Sequence, residues 1–169
     1  MQAVANCNHI GVMQMAETTI VHGTVVVERT INVPIARAFA AYADADERAL
    51  WAAPSDTAVF EYEETDFRVG GRDVARCGAK DDPRFRVESR YVEIQPRHRI
   101  VTTDTVHEST ELLTANITTT EFFDENQGTR VKVTVQVASL VGDEMIENTR
   151  SGNTGSLANM AQYLEQPKT

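Results

Sequence analysis

Two carboxylates and one thiol carry most of the chemistry this chain could perform in a sheltered site. Asp73 and Cys77 flank Ala75 in the run Arg72-Asp73-Val74-Ala75-Arg76-Cys77. On an extended strand, Asp73, Ala75 and Cys77 point to one face. If that face lines a cavity, loss of water raises the carboxyl pKa and suits Asp73 to proton transfer. Asp104 is its partner in the acid–base pair that the sequence offers. The plainer reading is an inert buried thiol beside a hydrogen-bonded aspartate.

Other chemistries find less support. His9, His22, His98 and His107 are scattered, and no closely spaced His, Cys, Asp and Glu set suggests a metal. His98 follows a proline turn and is expected in solvent, whereas His107 ends a strand and could reach a cavity mouth. Gly70-Gly71 lacks the strand, GxGxxG and helix context of a phosphate loop, so it reads as a bulge or turn. No cofactor is expected.

The elements that must position these groups follow from periodicity. Thr24 to Ile31 is β-branched and alternating, the mark of a strand. Asn32-Val33-Pro34 ends it. A short helix follows over Ile35 to Tyr42 and a second over Asp44 to Trp51, with Ala53-Pro54-Ser55-Asp56 as the break. From Thr57 the pattern has period two. Strands are expected over Ala58–Glu63, Asp66–Val69, Arg72–Cys77, Arg84–Ile94, Ile100–Val106, Thr110–Phe123 and Thr129–Leu140. Their separators are Gly70-Gly71, Gly78 to Pro83, Gln95-Pro96-Arg97 and Asp124 to Gly128.

Helical spacing returns at the end. Met145, Thr149, Gly152, Leu157, Met160, Ala161 and Leu164 form an apolar or small stripe. Asp143 is a candidate N-cap and Pro167 a candidate stop. Gly152 and Gly155 permit a bend or a close approach to the sheet. Residues 1–20 read as a flexible leader, with Met15 as an alternative start, and 21–166 as one domain.

The expected fold is α+β: a curved antiparallel sheet wrapped around a long C-terminal helix, with two short helices after the first strand. A strongly twisted sheet gripping one helix leaves a hollow between them. Its expected lining is Trp51, Phe67, Asp73, Cys77, Asp104, Met145 and Met160. Trp51 either plugs the sheet edge or lids the cavity, and Phe67 reads first as core. The methionines are core residues that also adapt to varied ligands.

Composition bounds the partners. The 169 residues suit one domain, with 41% hydrophobic and 24% charged content and a net charge of −9. That charge argues against nucleic acid and against anionic membranes. Arg84, Arg86, Arg90, Arg97 and Arg99 read as a solvated strand face, and Glu61, Glu63 and Glu64 as a charged edge that discourages strand-to-strand aggregation. Two cysteines, Cys7 and Cys77, make no disulfide framework and fit a reduced, cytoplasmic setting. No apolar run is long enough to span a bilayer. Monomer and homodimer both stay open.

A resemblance covers Thr24 to Leu164. Val33-Pro34 with Ala38-Phe39, Leu50-Trp51 with Pro54, Asp66 to Arg72, Tyr91 to Pro96, Arg99 to Thr103 and Gly128 to Thr134 follow in order. In this the chain resembles the START-like (SRPBCC, helix-grip) superfamily. Within it, the likeness is to AHSA-like proteins, bacterial homologues of the activator of the 90-kDa heat-shock-protein ATPase. The resemblance implies a cavity for a small apolar or amphipathic molecule. It also implies two alternatives, a cyclase, dehydratase or hydrolase using cavity carboxylates, and a module linked to a chaperone and the stress response. Two positions depart from the family: Asp104 stands where an aromatic residue is common, and Ser156 where tryptophan follows the glycine. If both face the cavity, it is wider and more polar than usual.

Overall fold

The computed structural model describes residues 19–126 and 128–166. Expectations for Cys7, His9, Met15 and Pro167 concern residues outside that set. Seven strands and three helices follow in the order β1 (Val21–Ile31), α1 (Ile35–Ala43), α2 (Ala45–Trp51), β2 (Ala58–Glu64), β3 (Arg72–Ala79), β4 (Asp82–Gln95), β5 (Arg99–Glu108), β6 (Glu111–Glu125), β7 (Gly128–Ser139) and α3 (Glu144–Glu165). The expected α+β helix-grip architecture is the one observed.

All strands join one antiparallel sheet in the order β1-β7-β6-β5-β4-β3-β2. The chain therefore runs from one edge, through α1 and α2, to the opposite edge, and then returns as a meander. Glu63 and Glu64 lie on edge strand β2 and pair with Arg76 and Arg72 of β3. The arginines of β4 are likewise engaged at the surface, Arg84 with Asp82 and Glu108, and Arg86 and Arg90 with Glu88. They are strand-face ion pairs.

The concave face of the sheet supplies the core. Val131, Val133, Val135 and Val137 of β7 are all buried, while their neighbours alternate outward. One apolar cluster joins Ile31, Tyr91, Ile100, Phe122 and Val131 of the sheet to α1, α2 and the second half of α3. Leu157, Met160, Ala161 and Leu164 of α3 are buried in it. Burial of each large apolar side chain contributes about 1.5–3 kcal/mol.

Four local expectations need correction. Asp66–Val69 is not a strand. Asp73 Oδ1 takes the Asp66 amide at 3.0 Å, Arg68 N–H turns back to the Asp66 carbonyl, and Gly70 N–H reaches the Tyr91 carbonyl at 2.8 Å. Those bonds fold the segment into a turn, with Gly70 at a φ of +80°. Gly78 to Pro83 is a tighter turn than expected, because a register shift between Cys77 and Ala79 lets Ala79 pair with Asp82. Asp44 caps α2 instead of starting it, accepting from the Asp46 and Glu47 amides at 2.9 and 3.0 Å. Asp143 holds the N-cap position of α3 but makes no side-chain cap bond.

Gly155 does make a close approach, though not to the sheet. It packs on Pro54 in the loop after α2, where an added Cβ would collide with backbone. Ser156 Oγ and Asn159 Nδ2 fasten the same loop by donating to the Ala52 and Ala53 carbonyls, each at 2.5 Å. Gly152 instead has nothing within 4 Å of such a Cβ. The two glycines should therefore respond oppositely. Gly152→Ala is expected to gain up to about 1 kcal/mol from helix propensity. Gly155→Ala should lose about 1–3 kcal/mol, because overpacking against backbone outweighs the same propensity gain. Urea denaturation of the two variants measures both signs.

Candidate functional site

Ile146, near the start of α3, packs on the valines of β1 and β7, and Leu157, Met160 and Leu164 anchor its second half. Beneath the helix lies a cavity of about 520 Å³. That lies in the range of small-molecule sites. Its floor is the concave face of β2 to β7, and α3 roofs it with Met145, Asn148, Thr149, Gly152, Asn153 and Ser156. Aliphatic and aromatic side chains, with Met145, Met160 and Cys77, make most of the wall.

Strand register explains how the polar groups gather. Asp73 pairs with Ser89, Ser89 with Asp104 and Asp104 with Asn116, so four polar residues form one row across β3, β4, β5 and β6. Tyr91, Thr102 and Thr118 form the next row. All seven border the cavity.

Of the residues expected to line the hollow, Trp51, Asp73, Cys77, Asp104, Met145 and Met160 do so. Phe67 does not border it. It packs edge-on against Tyr91 at 5.0 Å and Phe39 at 6.2 Å, because the turn after Asp66 folds it under α1. His107 also stays off the cavity wall, since the wall-facing positions of β5 are Thr102, Asp104 and Val106. Ser156 also borders the cavity, so both departures from the family pattern face it.

Asp73 is held in a buried ion pair that its own sequence surroundings do not announce. Arg48 of α2 reaches it at 2.5 Å, and the two residues are 3% and 6% exposed. Arg48 also donates to the Tyr62 hydroxyl at 2.8 Å and to the Tyr42 carbonyl, and its guanidinium lies over the Tyr42 and Tyr62 rings. The Tyr91 hydroxyl donates to Asp73 Oδ2 at 2.6 Å. Burial pushes the Tyr62 hydroxyl up to about 12 and Tyr91 higher still, so both remain protonated. With Arg48, Tyr91 and the Asp66 amide as partners, Asp73 has little capacity left for substrate.

Asp104 is different. Thr118 Oγ1 donates to it at 2.5 Å, and the nearby Ser89 and Thr102 hydroxyls also favour its ionised form. No cation acts on it among the described residues. Burial is the dominant influence and raises its pKa against those hydroxyls. Two strand spacings, about 10 Å, separate its backbone from that of Asp73, so the two carboxylates do not share a proton. Burial likewise pushes the Cys77 thiol up, away from nucleophilic character.

The Asp104 shift has a stability consequence. Its native pKa lies above the unfolded value, so the native state holds the proton to higher pH. Stability is then lost as pH rises from the ordinary carboxylate value near 4 through the native pKa. Asp104→Asn is expected to melt at or near the wild-type temperature at pH 3.5 and about 3 °C above it at pH 7, the shift that roughly 1 kcal/mol gives in a domain this size. Melting curves across that range decide it, and an Asn variant less stable at pH 7 would contradict it.

Comparison with known proteins places this architecture. Residues 32–165 match the family described as "Activator of Hsp90 ATPase homolog 1-like protein". The chain belongs to that family. No protein of curated function matches it. Among solved structures, this Hsp90-activator-like chain is similar to Mll3558 from Rhizobium loti, at 30% identity and a TM-score of 0.75, covering 86% of this chain and 99% of the other. It is also similar to an uncharacterized protein from Rhizobium leguminosarum, at 27% identity and TM-score 0.76, covering 88% and 98%. A third is CV1439 from Chromobacterium violaceum, at 25% and 0.75, covering 85% and 98%. Among the described residues of this family member, no helix is long and apolar enough to cross a membrane.

Proposed function

We propose that the protein binds a small apolar or amphipathic molecule between the concave sheet face and α3. The observation that carries this reading is the cavity of about 520 Å³, walled mostly by apolar side chains with a short polar row on its floor. A few convergent polar groups in an apolar hollow orient a ligand that the walls desolvate.

The test uses phenylnaphthylamine, an uncharged dye that brightens in apolar surroundings. Titration should show saturable binding to the wild type. Ala75 borders the cavity and is buried, so Ala75→Phe fills space with little backbone cost. That variant should lose at least about tenfold in dye affinity, equivalent to about 1.4 kcal/mol. Equal binding to both proteins would mean that the dye sits elsewhere, and the reading would fall.

Proton transfer is a second reading, supported by the burial-raised pKa of Asp104 with no cation acting on it among the described residues, and it would draw on that carboxylate without Asp73. A chaperone link draws on the family's description. It would be carried by exposed apolar side chains such as Leu50 of α2, 68% exposed.

A further inference from the structure

We infer that the ligand of this cavity is a cationic amphiphile, whose protonated amine seats between Asp104 and Asn116. The inference deepens the ligand-binding reading above and rests on it. Three side chains bordering the cavity are of the charged types: Arg48, Asp73 and Asp104. Arg48 and Asp73 neutralise each other at 2.5 Å. Asp104 has hydroxyl partners only. The cavity is therefore left with one uncompensated acid in a largely apolar wall, and an opposite charge from a ligand is what would stabilise its ionised form.

A second observation points the same way. Asn116 lies directly opposite Asp104 across the β5–β6 pair. Its Nδ2 donates to Thr114 Oγ1 at 3.2 Å, while its Oδ1 is buried and accepts nothing. Opposed residues hold their Cβ atoms about 4.5–5.5 Å apart, so one small group can touch both side chains. Asp104 lacks a cation and Asn116 Oδ1 lacks a donor among the described residues, and both are acceptors. An ammonium brings three donors and a positive charge, which answers both at once. A hydroxyl brings one donor and no charge, and a carboxylate brings repulsion.

The surroundings of Asp104 do not cancel this. Tyr42 from α1 and Tyr91 from β4 are held protonated by burial. β6 presents Asn116, Thr118 and Thr120, β7 presents valines, and α3 presents asparagine, threonine and serine, all uncharged. Aromatic rings on the wall would further favour a cation.

A matched series tests the inference: naphthylmethylamine, naphthylmethanol and naphthoate, each competing with bound phenylnaphthylamine at pH 7. The amine should bind at least about tenfold more tightly than the alcohol, the size of one charge-assisted hydrogen-bond set. Naphthoate should bind weakest. In Asp104→Asn, the amine-to-alcohol ratio should collapse toward one. An alcohol that competes as well as the amine, or a preference that survives in Asp104→Asn, overturns the inference and leaves the ligand-binding reading standing. Failure of the uncharged dye itself to bind overturns both.

Discussion

Replacing Arg48 with methionine is expected to remove about 3–5 kcal/mol of folding stability, the cost of stranding one member of a buried ion pair. Methionine fills similar volume, so packing changes little and the electrostatic loss dominates. It leaves the Asp73 carboxylate without its cation, and it leaves the Tyr62 hydroxyl and Tyr42 carbonyl without their donor. Both members of the pair are nearly inaccessible to water, so solvent cannot substitute. At about 2–4 °C per kcal/mol, the melting temperature should fall by roughly 6–20 °C. The double variant Arg48→Met with Asp73→Leu should recover much of the loss, because apolar replacement of a whole buried pair is often neutral. Urea denaturation of the three proteins measures this. A single variant within about 1 kcal/mol of wild type would show the pair to be solvated.

Trp51→Ala is expected to cost a similar amount, about 3–5 kcal/mol, for a different reason. Trp51 is 7% exposed, packs against Tyr42 with ring centroids 5.9 Å apart, and donates its indole N–H to the Ala41 carbonyl at 3.3 Å. Alanine would merge the vacated volume with the ligand cavity. Dye affinity should therefore change along with stability, which pure core truncation elsewhere would not produce. Trp51→Phe keeps a ring in place and should cost about half as much. Trp51 is also the only tryptophan in the chain, and it borders the cavity. Quenching or a shift of its emission should accompany ligand titration, and emission blind to bound ligand would place binding elsewhere.

Much of this was legible from residue types. Alternation put Asp73, Ala75 and Cys77 on one strand face, and that face is cavity wall. The i, i+3 and i+4 stripe of α3 named the inward face of the helix, from Met145, Thr149 and Gly152 on the cavity to the buried Leu157, Met160, Ala161 and Leu164. The ion pair was missed because Arg48 was read only as part of a short helix. Its position three residues before Trp51 was the available signal: the two share a helix face, and a charge on a buried face implies a partner. Ser89, Tyr91 and Asn116 were missed for another reason. Which residues share a row depends on register across four strands, and turn sequences do not fix register when bulges intervene, as they do at Cys77, Tyr91 and Val106. Asp66–Val69 failed as a strand because Asp73 drew its backbone into a turn, a tertiary effect that no local window contains.

The order of strands also governs when this protein can finish folding. β3 to β7 form a chain of hairpins, each closable as soon as its two strands exist. β1 has no neighbour but β7, and its Val21 pairs with Ser139, more than a hundred residues later. On a ribosome, β1 emerges before the other strands and must wait unpaired until β7 is made, with its row of valines open to other partners. Such distant closure also slows refolding relative to helical proteins of equal size. The apolar wall contributed by β7, and the roof that follows it, are thus the last parts of the binding site to be assembled.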